Sequence, residues 1–346
     1  MVGATGIEPV TPAMSRRCSP AELRAHPMGA SSLRGGGPQG PLQSGCGGST
    51  QAVECGMDDA LPETAHLPPP VLVRAPDRRR APLVFASPHS GRSYPAAFVA
   101  ASRLDPIRLR RSEDAFVDLL FAAAPVHGAP LVAATFPRAF CDANREPWEL
   151  DPGMFEDELP GWVNSGSPRV AAGLGTLARI VASGEGIYRN RLRFAEAQAR
   201  VQRQWHPFHA ALREEIAMAH ETFGACLLVD CHSMPANAAA PRQVADIVLG
   251  DAHGTTCGGA PMRRLEEMLR DQGFSVRRND PYAGGYITRN YGRPRDGVHA
   301  VQIEILRTLY MDEARVEMSA GFPGVQARIS AVIAGLAAEA AALLEL

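Results

Sequence analysis

Leu227 to Ser233 reads LLVDCHS, an apolar run that ends abruptly in an aspartate and a histidine. A buried strand that delivers an imidazole at its carboxyl end puts that group in the crevice where open α/β sheets bind ligands. The pattern occurs twice, because LVFASPHSG, Leu83 to Gly91, is a second apolar run and stops at Pro88 and His89. Two histidines presented from two strand ends are placed to share one ion.

Further runs extend the pattern outward. PLVAATF (130–136), ACLLVD (225–230), ADIVLG (245–250) and HAVQIEI (299–305) are rich in Val, Ile and Leu and show little polar alternation, as buried strands do. Helix candidates lie between them at Glu113–Ala124, Leu192–Phe223, Pro261–Gln272 and Val325–Leu344. The alternation predicts an α/β fold, a mixed and mainly parallel sheet with helices on both faces, built as a single domain. Glu146 to Ser183, rich in Gly, Pro and acidic residues, reads as an irregular excursion, and loops of that length commonly cover a site.

Residues 1–56 differ in character. They are rich in Gly, Pro, Ser and Ala and carry neither helical nor strand periodicity, so they read as a disordered tail or a spurious extension, with Met57 as the biological start and 57–346 as the folded unit.

Composition excludes several function classes. With 346 residues, 45% of them hydrophobic, the chain can bury a large core. A formal net charge of -2 gives no reason to expect a nucleic-acid partner. No stretch reads as long enough to span a bilayer and no secretory signal opens the chain, so a cytoplasmic protein without membrane contact is expected. The seven cysteines form no C-x-x-C pair, and Cys226 and Cys231 are expected in the core. Oligomeric state is not legible.

His89, His232 and one carboxylate complete a three-ligand nitrogen and oxygen site, with the fourth position of a Zn2+ ion, or another divalent metal, left for water or substrate. RRSEDAFVD (110–118) offers that carboxylate at the start of a predicted helix: Asp114 first, with Glu113 as its alternative. Either acid is also suited to capping the helix. In VQIEI (301–305), Glu304 sits between isoleucines, and a buried carboxylate is costly unless it has a partner or a task. Proton transfer from water to a leaving amine is such a task. Arg138, Asn144 and Arg145 in FPRAFCDANREPWE, together with Arg289 in NDPYAGGYITRNYG, are candidates for holding a substrate with a free carboxylate. The bland alternative for the first group is an ion pair with Asp142 or Glu146. The glycine- and tyrosine-rich segment 279–292 reads as a mobile flap or as ordinary turn structure.

Taken together, SPHSG (87–91), SEDAFVD (112–118), DANREP (142–147), DCHSM (230–234), LGDAHG (249–254), DPYAGGYITRNYG and VQIEILRTLYMDE resemble the N-formylglutamate amidohydrolases, within a wider group that includes zinc carboxypeptidases and aspartoacylase-type deacylases. The resemblance covers Leu83 to about Glu313. It implies a phosphorylase/hydrolase-like α/β fold, metal-dependent hydrolysis of an N-acyl amino acid to formate and glutamate, and a place in histidine catabolism. It also implies metal ligation by His89 and His232, substrate contacts from Asn144 and Arg145, and proton transfer by Glu304. The wider group supplies its acidic ligand three residues after the first histidine, where this chain has Arg92, so the acid must come from elsewhere. Another N-acyl amino acid or a short peptide would present the same amide and carboxylate. A non-catalytic carboxylate-binding protein on this fold is the rival reading, though it has no physical need to bury Glu304.

A chain beginning at Met57 is expected to fold with unchanged thermal stability, because the first 56 residues hold no core-forming pattern. A large fall in melting temperature on truncation would show that the tail packs on the domain.

Overall fold

A computed structural model describes residues 68–236 and 245–345, so residues 1–56 and Met57 lie outside it. Seven strands form one sheet: β1 (Val71–Arg74), β2 (Leu83–Ser87), β3 (Leu131–Ala134), β4 (Cys226–Met234), β5 (Ile247–Gly250), β6 (Val276–Arg278) and β7 (Val298–Leu306), in the order β1-β3-β2-β4-β7-β5-β6. β3, β2, β4 and β7 are parallel; β5 is antiparallel to β7 and parallel to β6, and β1 lies antiparallel to β3. The helices are α1 (Ala96–Ala101), α2 (Pro106–Arg110), α3 (Val117–Leu120), α4 (Pro168–Ala171), α5 (Phe194–Arg200), α6 (His206–Phe223), α7 (Gly259–Asp271), α8 (Tyr286–Tyr291) and α9 (Phe322–Leu343). A π-helical turn, Val201–Trp205, joins α5 to α6.

Alternation along the strands sorts the core into two layers. Leu83, Phe85, Leu227, Val229, Val301 and Ile303 pack with Leu120 of α3, Leu265 of α7 and Ile329 of α9. Val84, Leu228 and Ala300 face the other way, onto Phe208 and Leu212 of α6 and Ile287 of α8. The expected mixed α/β architecture with both sheet faces covered is therefore present.

Strand lengths then make the crevice. From β2 the chain moves to β3 on one side and later enters β4 on the other, a topological switch point. Pairing of β2 with β4 ends at Ala86 and Asp230, whereas β4 and β7 stay paired to Met234 and Leu306. The end of β4 thus runs past β2, with His232 directly opposite Glu304. With a side-chain period of two, Asp230 and His232 share the face of Leu228, and Gln302 and Glu304 share that of Ala300. Gly91 lets the segment after β2 cross the end of β3, since a Cβ there would lie 2.0 Å from the Phe136 carbonyl oxygen.

Several expectations need correction. The strand expected to stop at Asp230 continues to Met234, because β7 satisfies its backbone while its polar side chains face the crevice. The helix expected from Glu113 is only Val117–Leu120, preceded by Phe116 at φ 67, so neither Glu113 nor Asp114 caps it. The short edge strands β1 and β6 were not expected. α9 overturns the statement that no stretch can span a bilayer: its 22 residues meet that length and hydropathy. Its Val325, Ile329, Val332, Ile333 and Leu336 nevertheless lie in the core layer shared with α7.

One buried histidine ties α6 to the site. His209 donates from Nε2 to the Ala143 carbonyl and accepts at Nδ1 from the Tyr291 hydroxyl, both at 2.8 Å, and its ring stacks on Trp205 at 3.8 Å. Burial pushes its pKa down to about 3. An unfolded chain takes up this proton near pH 6.5, so the stabilisation is complete above that pH and is lost as pH falls toward 3. The advantage of wild type over His209→Gln in urea unfolding should shrink by about 1.4 kcal/mol per pH unit between roughly pH 6 and 4. A difference that stays constant over that range would show that His209 is not held neutral.

Candidate metal centre and active site

Asp114 is delivered to the crevice by its own backbone, whose N–H donates to the His89 carbonyl at 3.0 Å. Its Oδ2 lies 2.9 Å from His232 Nδ1 and 3.3 Å from His89 Nδ1. His89, Asp114 and His232 are all buried, and their candidate donor atoms lie within 4.8 Å of one another. The structure thus brings three of the expected residues together. Glu113, the alternative, turns away into a two-bond pair with Arg110 at 2.9 and 3.1 Å. Arg92 pairs with Asp118 at 3.3 Å and takes no part in the trio.

The donor set fits a divalent cation. Atoms sharing a tetrahedral ion at about 2.0–2.1 Å sit roughly 3.3 Å apart, close to the observed spacing of Asp114 Oδ2 from both Nδ1 atoms. His89 Nδ1 is buried and has no hydrogen-bond partner. The opposite ring nitrogens are also occupied: Asp142 holds His89 Nε2 at 2.7 Å, whereas His232 Nε2 accepts from the Asn144 amide at 3.0 Å and lies 2.9 Å from Asp230 Oδ1. At His89 the carboxylate fixes the ring and turns Nδ1 toward the shared point; at His232 Nδ1 donates to Asp114 Oδ2, and an ion held there would take the place of that proton.

Electrostatics favour the ionised forms of Asp114, Asp142 and His232, and metal binding would displace the His232 proton. Burial pushes the Asp114 carboxyl up, but His232 and His89 outweigh this and keep it well below the usual carboxylate range. The Arg307 guanidinium adds an ion pair to Asp114 Oδ1 at 2.9 Å. Asp142 is likewise raised by burial, then held low by Arg138, Arg145 and His89. His232 is lowered by burial and raised more strongly by Asp230 and Asp114, which places it well above the ordinary histidine value.

Glu304 is buried beside this group. Its one side-chain hydrogen bond among the described residues comes from Gln302 Nε2, at 2.7 Å to Oε1. Burial pushes its pKa up to about 7, with Asp114 adding to the rise and His232, Arg138 and Arg307 opposing it. Arg307, the obvious neutralising partner, is committed instead to Asp114, Ser233 and the Arg111 carbonyl.

The remaining candidates divide. Arg138 pairs with Asp142 at 2.8 Å, so the bland expectation is realised, yet it also lines the cavity. Arg145 is buried, bonded to the Leu174 and Asn144 carbonyls. Asn144 is used inside the protein: Oδ1 accepts the Ile287 N–H at 2.7 Å, and Nδ2 donates to Asp230 at 3.2 Å. It steadies Asp230, His232 and α8 while also lining the cavity. A Cβ on Gly285 would lie 2.4 Å from this amide. These contacts hold the second half of segment 279–292 against the site. Arg289 is exposed and lines the cavity.

The trio, Glu304, Asn144, Arg138, Arg145, Arg289 and Arg307 line one cavity of about 620 Å3, lined also by Arg169, Leu174, Ala178 and Ile180 of the irregular excursion. Asp142, Asp230, Arg307, Gln302 and Arg169 were not expected as site residues. The sequence signal for Asp230 was its place two residues before His232 on the same strand face; Arg169 gave none.

A profile of the N-formylglutamate amidohydrolase family matches residues 81–311. The chain belongs to that family. It is 31% identical over 243 residues to N-formylglutamate deformylase of Pseudomonas aeruginosa, covering 68% of this chain and 84% of the relative. It is 30% identical over 241 residues to the Pseudomonas putida deformylase, covering 68% and 83%. The crystal structure of N-formylglutamate amidohydrolase from Ralstonia eutropha JMP134 superposes with a TM-score of 0.75 at 39% identity, over 78% of this chain and 98% of that one. Family membership makes this chain a hydrolase, with the buried trio as its candidate metal centre.

His89→Ala and His232→Ala are each expected to lose bound metal in equilibrium dialysis, and Asp230→Asn to weaken affinity about 10- to 100-fold while keeping all three donors. One tightly held metal per chain in both alanine variants would remove the histidines from the coordination sphere.

Proposed function

We propose that this protein hydrolyses the amide of an N-formyl amino acid, N-formyl-L-glutamate first, to formate and L-glutamate. The observation that carries the reading is the register of β4 against β7, which sets a buried carboxylate of raised pKa opposite a histidine of the metal trio, in the same cavity. The deformylase names of the Pseudomonas relatives support the substrate. So does charge: five arginines line the cavity against three carboxylates, Asp114, Asp142 and Glu304, a cationic excess that suits an anionic ligand.

His89, Asp114 and His232 would hold the ion, zinc being the first choice for a nitrogen and oxygen donor set. When bound, such an ion supplies Lewis-acid polarisation of the amide carbonyl and acidification of water. Glu304 takes a proton from the attacking water and passes it to the amine as the C–N bond breaks, a cycle suited to a group near neutrality. Arg138, anchored through Nη2 by Asp142, presents its remaining N–H groups to charge developing on the acyl oxygen. Asp142 and Asp230 keep both imidazoles in orientation throughout.

Glu304→Gln keeps the shape of the side chain and removes its basicity. Metal content and fold should be preserved while kcat falls about 10²- to 10⁴-fold with little change in KM. Near-normal kcat in the metal-loaded variant would remove Glu304 from the chemistry.

A further inference from the structure

The five arginines of the cavity fall into two kinds. Arg307 spends its donors on Asp114, Ser233 and the Arg111 carbonyl. Arg145 is spent on two backbone carbonyls beside Asp142, and Arg138 is tied to Asp142. These three neutralise the carboxylates of the metal-side wall. Arg169 and Arg289 differ: both are exposed, both line the cavity, and among the described residues neither guanidinium has an ion pair or a side-chain hydrogen bond. Among the described residues these two are therefore the cavity arginines left free to meet a ligand.

Their placement has a use. Arg169 comes from α4, in the excursion after Glu146, and Arg289 from α8, on the segment pinned to Asn144. Two separate elements thus bring one uncommitted fork each to a cavity of about 620 Å3, within the range of roughly 300–1,000 Å3 that suits small ligands. The planar guanidinium matches a carboxylate in a two-bond geometry that an ammonium cannot reproduce.

We propose that Arg169 and Arg289 form a clamp for the side-chain carboxylate of the substrate, so that the protein selects N-acyl derivatives of dicarboxylic amino acids over those with neutral side chains. The inference rests on the reading of the cavity as an N-acyl amino acid site and assigns its specificity to residues remote from the proton-transfer group. Arg138, next to His89 through Asp142, is left for the reacting end of the ligand.

The test compares kcat/KM for N-formyl-L-glutamate and N-formyl-L-glutamine, nearly isosteric ligands that differ by one charge, in wild type, Arg169→Gln, Arg289→Gln and Arg169→Lys. Wild type should prefer the glutamate compound. Each glutamine variant should reduce that preference about 10- to 100-fold, mainly through KM and with metal content unchanged, and Arg169→Lys should restore only part of it. An unchanged preference in both glutamine variants of an active enzyme would overturn the clamp and leave the reaction standing. If wild type hydrolyses neither compound, the proposed reaction fails and calorimetric binding of glutarate judges the clamp. Binding weakened in Arg169→Gln supports it; equal binding overturns it.

Discussion

The structure is organised around one buried carboxylate. Asp114 is 1% exposed and stays ionised because both oxygens are served, Oδ2 by the His232 imidazole, with His89 Nδ1 3.3 Å away, and Oδ1 by Arg307 and Ser233. Removing such a charge from water costs several kcal/mol unless it is paired and hydrogen-bonded. The partners come from the segment after β2, from the end of β4 and from the turn after β7. Satisfying one side chain therefore fixes three chain segments at the switch point of the sheet.

From Asp114 the order propagates outward through two chains of contacts. One runs from His89 to Asp142 and on to Arg138, which reaches the cavity. The other runs from His232 to Asp230, then to the Asn144 amide and the backbone of Ile287. The second chain explains why a glycine- and tyrosine-rich segment is not loose. Below both lies the Trp205 and His209 pair, with Trp205 donating to the Arg145 carbonyl and His209 to that of Ala143. The π-helical turn that ends at Trp205 sits where this support is needed, as such turns often do near functional sites.

Much of this was legible in the sequence because buried strands write a simple pattern. The apolar runs ending at His89 and near His232 marked the crevice, and a glutamate between isoleucines marked Glu304. Asp114 was reachable because an acidic pair follows the His89 strand, though only side-chain direction separates it from Glu113. The supporting residues were less accessible. Whether Asp142 pairs with an arginine or orients His89 depends on side-chain directions set across a 53-residue separation. β4 was cut short because DCHS reads as an end when its pairing partner is unknown. The helix expected from Glu113 failed because the tertiary pull of two histidines on Asp114 outweighs local helix propensity. Arg169 lies in a segment without periodicity, so nothing local distinguishes it from any surface arginine.

Both histidines would meet an ion through Nδ1, because Nε2 is taken by Asp142 at His89 and by the Asn144 amide at His232. Anomalous scattering at the zinc edge from crystals of the metal-loaded protein tests it most directly. One peak per chain is expected at about 2.0–2.2 Å from His89 Nδ1, His232 Nδ1 and an Asp114 oxygen. A metal bound through either Nε2, or seated elsewhere in the cavity with Asp114 unligated, would contradict it.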